Sequence, residues 1–476
     1  MLFNSFHFLF FFLFVTTLYF VIPYNKRWLL LLISSCYFYM AFVPVYILIL
    51  AFTILVDYFA GIFIENAEGG RRKLYLIFSL ISNIGILSFF KYYNFLNQNI
   101  SFLLNAFGFV NYFPYLSILL PIGLSFHTFQ AMSYTIEVYR RHQKAERHFG
   151  IYSLYVMFYP QLVAGPIERP QNLLHQFRKK HDFDYERVVA GLQLILWGFV
   201  KKIVIADRLA IYVNAVYNNQ EHHNGLTLLL ATIFFAFQIY CDFSGYSDIA
   251  IGTARVMGFK LMTNFNRPYF ARNVSEFWKR WHISLSTWFK DYLYISLGGN
   301  RVTIPRWYIN LLIVFIISGL WHGANWTFVI WGALNGFYLV FAIVTFELRK
   351  KLSRFLGLYK LPKLNQSLQI ITTFILECFA WIFFRANTIT DAFDIIKKIS
   401  TFKGPIFMDN LSMILYPIFG LLLLLFVEVK QEYYSRGFSF IYNRNWIVRY
   451  LSYSFLIILI LLIGVFDGGQ FIYFQF

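Results

Sequence analysis

The chain has 476 residues, of which 59% are hydrophobic and 22% aromatic, while only 13% are charged. A soluble domain carries about 25% charged residues, so this composition excludes a soluble enzyme and indicates an integral membrane protein. The formal net charge of +18 comes from lysines and arginines in short loops, which indicates cytoplasmic loops rather than a nucleic-acid-binding surface.

In chain order, twelve apolar segments approach the roughly 20 residues that a helix needs to cross a bilayer. They are 8–21, 28–42, 46–63, 73–90, 115–139, 188–205, 226–240, 307–320, 326–346, 368–384, 412–427 and 450–465. We therefore predict an all-α polytopic membrane protein with about 11–12 transmembrane helices, plus re-entrant and interfacial helices. Residues 1–476 are expected to form a single membrane domain, with N-terminal helices in 1–139, a catalytic core in 140–350 and C-terminal helices in 351–476.

The loops between these segments predict the orientation of the chain. Basic loops such as 140–147 and 349–363 alternate with loops such as 93–113, which carry almost no lysine or arginine. Placing the basic loops in the cytoplasm puts both termini on the extracytoplasmic side. The alternation holds only if the segments 151–170 and 242–304 dip into the membrane and return. Because irregular backbone at that depth must face protein or water, these two segments predict a cavity.

The segment 275–290 has the pattern of one amphipathic helix, with Phe277, Trp281 and Trp288 on its apolar face. We predict that it lies at the membrane interface or lines a funnel, with His282 at the edge of the apolar face. A histidine there could exchange protons with a partly hydrated cavity. It could equally anchor an interfacial helix.

A second histidine, His322, follows the apolar run 311–320 and precedes Gly323 and Ala324. These small residues allow close approach by a helix or a substrate, and Asn325 supplies an amide that could hold a ring nitrogen or an acyl carbonyl. A core histidine satisfied by one neighbour is the alternative. Because an ionisable group is costly inside a membrane, a functional role is the preferred interpretation.

Two carboxylates, Asp242 and Asp248, lie in a segment whose Gly245 and Ser247 favour a break in the helix. They could orient a histidine or bind a polar head group, or they could cap helix ends. A third intramembrane histidine, His127, is interpreted as a packing residue.

Two motif histidines without a metal-binding triad predict proton transfer from a hydroxyl group. A neutral imidazole can accept the alcohol proton as the oxygen attacks an acyl carbonyl, and can then protonate the leaving group. A thioester suits this chemistry as the acyl donor, because a thiolate leaves readily. A tunnel that holds donor and acceptor together would supply proximity.

Three segments strongly resemble the membrane-bound O-acyltransferase family, and in particular its alginate O-acetyltransferase-like branch. They are QIYCDFSGYSDIAIG at 238–252, the segment 267–301 that contains EFWKRWHISLSTWFKDYLYISLGGNR, and SGLWHGANWTFVIWG at 318–332. The resemblance extends over nearly the whole chain, from the N-terminal MLFNSFHFLFFF to the terminal FIYFQF.

The resemblance implies a helical membrane core with a central funnel. It implies that His322 is the essential histidine, that His282 is the second motif histidine, and that Asp242 and Asp248 belong to the DFSGYSD element of the family. It also implies transfer of an acyl group from a cytoplasmic acyl thioester such as acetyl-CoA. The acceptor would be an exported polysaccharide or a serine-esterase-like envelope acyltransferase.

We therefore expect an inner-membrane O-acetyltransferase that modifies an exported or cell-envelope polysaccharide, as in alginate biosynthesis. His322 would accept the proton or position the acyl group, His282 would assist by orientation or as a proton relay, and Asn325 would stabilise the carbonyl oxygen. The tunnel is expected to be lined by the tryptophans Trp281, Trp321 and Trp326. No tightly bound cofactor, metal ion or nucleic acid is expected.

Other functions remain open. D-alanyl transfer from a carrier protein to an envelope polymer uses related chemistry, although the motif LGGNR at 297–301 favours the O-acetyl branch. A non-enzymatic glycan transporter would use the histidines as proton relays, and inverted repeats in hydropathy would be expected, which the sequence lacks. A membrane scaffold would need neither histidine.

Overall fold

A computed structural model describes residues 1–117, 120–163, 165–434, 445–466 and residue 471. Within these ranges every regular element is helical, which confirms the predicted all-α class. Two compact units are formed, one by Met1–Ile195 with Ser247–Met262, and the other by Leu196–Tyr246 with Thr263–Phe476. The three-part division of one membrane domain stays a prediction, and the terminal motif FIYFQF lies, except for its first residue, outside the described residues.

Ten described helices begin in the first unit. They are α1 (Phe6–Val21), α2 (Arg27–Met40), α3 (Ile47–Asn66), α4 (Gly69–Leu87), α5 (Tyr93–Ala106), α6 (Leu124–Tyr139), α7 (Phe149–Met157), α8 (Tyr159–Leu162), α9 (Pro170–Leu173) and α10 (Tyr185–Phe199). A fully buried carboxylate, Asp57, ties α3 to α4 by accepting hydrogen bonds from Ser79 and Asn83, at 2.6 and 2.9 Å. Prolines in the first turns of α8 and α9 suit helix starts, so this part of the chain forms short buried helices.

Eleven described helices follow. They are α11 (Asp207–Tyr217), α12 (Gly225–Met257), α13 (Val274–Arg280), α14 (Ile283–Trp288), α15 (Ile304–His322), α16 (Trp326–Val344), α17 (Phe346–Phe355), α18 (Pro362–Arg385), α19 (Ile389–Thr401), α20 (Ser412–Tyr433) and α21 (Trp446–Ile463). A π-helical segment, Val200–Ala206, joins α10 to α11. A second π-helical segment, Phe289–Tyr294, extends α14.

The predicted membrane segments all coincide with helices, but fewer of them qualify as spans. Among the described residues, nine helical segments are long and apolar enough to cross a membrane, compared with about 11–12 predicted. The difference is explained by length, because α1, α2 and α6 have 16, 14 and 16 residues. The loop predicted at 93–113 is also mostly helical, since α5 continues α4 through a π-helical turn at Ser88–Tyr92.

The predicted break in the helix at Gly245 and Ser247 was wrong, because α12 runs unbroken through both residues. Gly245 instead allows close packing inside the second unit. A Cβ atom on Gly245 would lie 2.8 Å from the carbonyl oxygen of Gly198 and 3.0 Å from the backbone nitrogen of Lys202. A glycine can therefore serve contact between two helices as readily as a bend in one.

Helices α15 and α16 form a tightly packed hairpin that positions His322 at its turn. A Cβ atom on Gly319 would lie 2.2 Å from the carbonyl oxygen of Phe328, and one on Gly332 would lie 2.3 Å from that of Phe315. Small residues at such positions let membrane helices approach backbone to backbone. The position of His322 therefore depends on two glycines.

Candidate active site

His282 lies at a sharp break between two short helices. Helix α13 ends at Arg280 and α14 begins at Ile283, so the prediction of a single helix over 275–290 was wrong. The backbone of His282 is left-handed, with φ 42° and ψ 55°, a conformation that costs a non-glycine residue about 1–2 kcal/mol. Asn264 supports the break, because its carbonyl oxygen and its side-chain Oδ1 accept hydrogen bonds from the backbone nitrogens of Ile283 and Ser284, at 2.9 and 3.2 Å.

This break turns the imidazole of His282 into the protein. The residue is fully buried, so the predicted position at a partly hydrated helix edge was wrong. Its ring centroid lies 4.5 Å from that of Phe243 and 6.3 Å from that of Phe265. Burial lowers the pKa of His282, because the charged imidazolium is poorly solvated there. Burial therefore favours the neutral ring.

His322 is the last residue of α15 and is also buried, with 3% of its surface exposed. Its ring centroid lies 4.9 Å from that of Trp321, 5.0 Å from that of Trp331 and 5.5 Å from that of Phe384. The centroids of His282 and His322 are 6.5 Å apart. The fold therefore brings together the two histidines that the sequence singled out.

The two histidines are enclosed by what we term the aromatic cluster. Its members are buried rings in contact with a histidine or with one another, namely Phe243, Trp321, Trp331, Trp381 and Phe384. Trp331 and Trp381 are stacked, with centroids 5.6 Å apart and planes inclined by 22°. Such a site excludes water, and a weakly screened environment strengthens any hydrogen bond to a developing charge.

The three predicted tunnel tryptophans occupy different surroundings. Trp321 contacts both histidines, at 6.1 Å from His282 and 4.9 Å from His322. Trp281 is buried and packs against Trp381, at 5.1 Å. Trp326 is the first residue of α16 and has 51% of its surface exposed. A role for these residues in lining a tunnel stays a prediction.

Asn325 caps the start of α16. Its Oδ1 accepts a hydrogen bond from the backbone nitrogen of Thr327 at 3.0 Å, and its Nδ2 donates to the carbonyl oxygen of Asn387 at 3.1 Å. The side chain therefore holds the turn of the hairpin against the end of α18. These structural hydrogen bonds compete with the predicted role of Asn325 at an acyl carbonyl.

A polar recess of about 530 Å³ opens beside the turn that follows His322. Its polar lining residues are Asn214, Asn218, Asn325, Thr327, Arg385 and Asn387. The Nη2 atom of Arg385 donates hydrogen bonds of 2.9 Å to the Oδ1 atoms of Asn214 and Asn218. Because Phe384 both lines the recess and contacts His322, the recess ends beside the aromatic cluster.

A buried ion-pair network, which the sequence interpretation missed, engages Asp242. Lys202 lies with its Nζ 2.5 Å from Oδ1 of Asp242 and 2.9 Å from Oδ1 of Asp207. All three side chains are at most 8% exposed. Lys202 falls inside the predicted apolar segment 188–205, and a lysine within a membrane segment is itself a signal of a paired or functional charge.

The remaining residues considered at the sequence level lie elsewhere. Asp248 is six residues beyond Asp242 on α12 and is partly exposed. His127 is buried on α6 in the first unit, with its ring 6.5 Å from that of Tyr39. A second cavity, of about 360 Å³ and mostly apolar walls, lies beside Trp278, and neither His282 nor His322 is among its described lining residues. Among the described residues, no three His, Cys, Asp or Glu side chains are grouped as a metal site would require.

The profile of the membrane-bound O-acyltransferase family matches residues 87–382, which include both histidines. The chain belongs to this family. The probable alginate O-acetylase of Pseudomonas aeruginosa is 39% identical over 407 residues, which cover 84% of this chain and 75% of that protein. The peptidoglycan O-acetyltransferase of Helicobacter pylori is 35% identical over 408 residues, covering 80% and 75%. The teichoic acid D-alanyltransferase of Streptococcus thermophilus is 28% identical over 278 residues, covering 54% and 66%.

Family membership confirms the resemblance seen in the three motif segments. The chain is a multi-pass membrane acyltransferase, which uses an acyl donor and an acyl acceptor. A glycan transporter and a passive scaffold are therefore set aside.

Proposed function

We propose that this acyltransferase O-acetylates an exported or cell-envelope polysaccharide, with acetyl supplied by a cytoplasmic thioester. The observation that carries the proposal is the burial of His322 against His282, next to a polar recess large enough for a sugar. Relatives named for O-acetylation of alginate and of peptidoglycan, at 39% and 35% identity, support the acetyl group and the glycan.

His322 is the proton acceptor in this proposal. A hydroxyl of the acceptor approaches from the recess, and the neutral imidazole takes its proton as the oxygen attacks the acyl carbon. His282, at a centroid distance of 6.5 Å, orients His322 or relays the proton. The left-handed backbone at His282 supports a functional reason for its position, because such strain persists where the surrounding structure holds it in place.

The recess is placed on the extracytoplasmic side in this proposal. It is lined by residues at or beside the ends of α11, α15 and α18. The membrane segments that end there follow the basic stretches 178–180, 301–306 and 349–363. Basic stretches are retained in the cytoplasm, so each of the three segments runs outward to the recess. This orientation also puts both termini outside and presents the recess to an exported acceptor.

The acceptor is the polysaccharide itself, or a serine-esterase-like envelope acyltransferase that passes the acetyl group on. Asparagine amides and an arginine in the recess support a polar, hydroxyl-rich ligand. The donor is acetyl-CoA or another acyl thioester on the cytoplasmic side of the inner membrane, and the reaction needs no tightly bound cofactor. Acetyl passes from sulfur to oxygen, and a free thiol is released.

D-alanyl transfer from a carrier protein is the second candidate function. The D-alanyltransferase of Streptococcus thermophilus matches 54% of this chain at 28% identity. The matches to O-acetylases are longer and stronger, at 80–84% coverage and 35–39% identity. Acetyl transfer is therefore preferred.

The test is mass analysis of the envelope glycan in cells that carry either the wild-type protein or His322→Ala at equal abundance. Loss of a general base lowers the rate by about 10²–10⁴-fold, so ester-linked acetyl groups should fall to background. His127→Ala removes another buried imidazole and should leave the acetyl content unchanged. Wild-type acetylation by His322→Ala would overturn the role of His322, and D-alanyl esters in place of acetyl esters would establish the second candidate.

A further inference from the structure

The aromatic cluster contains a buried indole N–H without an acceptor, next to His322. Trp331 is fully buried, and its Nε1 has no hydrogen-bond partner among the described residues. Buried donors are normally paired, so an unpaired donor calls for an explanation. Nearby Trp278 shows the ordinary arrangement, because its Nε1 donates to Oδ1 of Asn335 at 3.1 Å.

The position of Trp331 links this donor to the reaction centre. Its ring lies 5.0 Å from that of His322, at an interplanar angle of 88°. Thr327 lies one turn earlier on the same face of α16 and lines the polar recess. The Oγ1 atom of Thr327 is also buried without a partner among the described residues. This face of α16 therefore runs from the recess to His322 and carries two donors that the described chain leaves unsatisfied.

We propose that Trp331 is a further catalytic residue, whose Nε1–H donates a hydrogen bond to the oxygen of the acyl carbonyl. The proposal rests on the proposed function of His322. Asn325, which the sequence suggested for this role, already uses its oxygen and its amide in the hairpin turn. Trp331 combines a buried N–H that lacks an acceptor among the described residues with a ring that contacts His322, and Trp381 stacks on Trp331.

The reaction step is as follows. The acceptor oxygen forms a bond to the acyl carbon while its proton passes to His322, and the π electrons of the carbonyl move onto its oxygen. The Trp331 N–H stabilises that negative oxygen. When the C=O bond re-forms, the C–S bond breaks, and the thiolate takes the proton from the imidazolium. A donor aimed at the developing oxyanion is worth about 10²–10³-fold in rate.

Trp331→Phe tests this assignment, because it removes the N–H and keeps a large aromatic ring. The measurement uses membranes that contain envelope glycan, [¹⁴C]acetyl-CoA over a range of concentrations, and alkali-labile label in the glycan as the product. The maximal rate per folded protein should fall by about 100-fold or more, with little change in the half-saturating acetyl-CoA concentration. The same variant should lose less melting temperature than Trp278→Phe, because both substitutions remove the same ring volume but only Trp278 gives up a hydrogen bond.

Trp278→Phe is the matched control, since it removes an indole N–H that donates a hydrogen bond to Asn335. It should lower the melting temperature and leave the maximal rate per folded protein unchanged. An unchanged maximal rate in Trp331→Phe would overturn the proposal. Equal falls in melting temperature and equal rate losses in both variants would also overturn it, since that pattern indicates a packing role. The role of His322 as the base is tested separately in cells that carry His322→Ala. The ester content of their glycan does not depend on which residue donates the hydrogen bond to the acyl carbonyl.

Discussion

Replacement of Gly319 by alanine tests how closely the position of His322 depends on the α15–α16 hairpin. A Cβ atom there would lie 2.2 Å from the carbonyl oxygen of Phe328, whereas ordinary contacts begin at 3.4 Å. The added Cβ atom would therefore be about 1.2 Å too close to the oxygen. That oxygen belongs to the backbone, which cannot rotate away as a flexible side chain can. The helices must therefore separate near the residue that lies one turn before His322.

We expect Gly319→Ala to lower the rate of glycan acetylation by about 100-fold, because a displacement of about 1 Å in an active site has that effect. The added methyl group should also destabilise the fold by about 1–3 kcal/mol, as overpacking does. The rate is measured as ester-linked acetyl formed per folded protein, and the stability as the melting temperature in detergent.

Three other glycines complete a graded series. Gly332→Ala meets the carbonyl oxygen of Phe315 at 2.3 Å and should match Gly319→Ala. Gly336→Ala meets its nearest atoms at 3.2 Å and should have a smaller effect. Gly85→Ala, with nothing within 4 Å, is the control and should leave both quantities unchanged. The reasoning is refuted if Gly319→Ala behaves like Gly85→Ala.

Three further predictions concern the ion-pair network, the helix break and the recess. Lys202→Met should destabilise the protein by about 3–5 kcal/mol, because it leaves two buried carboxylates without their cation. Asp242→Asn should have a smaller effect, because Lys202 still pairs with Asp207. A reversed order of melting temperatures would contradict this. His282→Asn should accumulate in membranes better than His282→Ala, because asparagine tolerates a left-handed backbone. Both variants should lose acetylation activity. Wild-type activity in His282→Asn would rule out a role for the imidazole. Arg385→Gln should raise the half-saturating concentration of acceptor glycan several-fold, with little change in the maximal rate. The measurement is a titration of glycan into labelled membranes. A fall in the maximal rate alone would exclude a binding role.

Much of the fold could be predicted because membrane helices are read from composition. All twelve predicted apolar segments coincide with helices, and α6 shows where such a prediction overreaches. The segment 115–139 is mostly apolar, yet the helix begins only at Leu124, after the left-handed Gly123. Hydropathy shows where apolar residues lie, but it does not show where the backbone turns.

Sequence reasoning singled out His282 and His322, whose roles stay predictions, but it was wrong about the local geometry at His282. His322 was recognised because a histidine in an apolar run is costly. The break at His282 could not be predicted from periodicity, because it depends on Asn264, which lies outside the helical pattern. Trp331 could not be singled out from the sequence either, and the reason is similar. Nothing in its sequence neighbourhood shows that its N–H lacks an acceptor, which is a property of the packed structure.

The pairing of Lys202 with two carboxylates bears on how the chain enters the membrane during synthesis. A lysine at the centre of a membrane helix opposes insertion by about 2.5–3.5 kcal/mol. Asp207 follows only five residues later, and its carboxylate lies 2.9 Å from the ammonium group. The newly made segment can therefore neutralise its own charge before ribosomes reach Asp242. The arrival of α12 then adds Asp242 to this local pair, so the completed network ties the two membrane segments together.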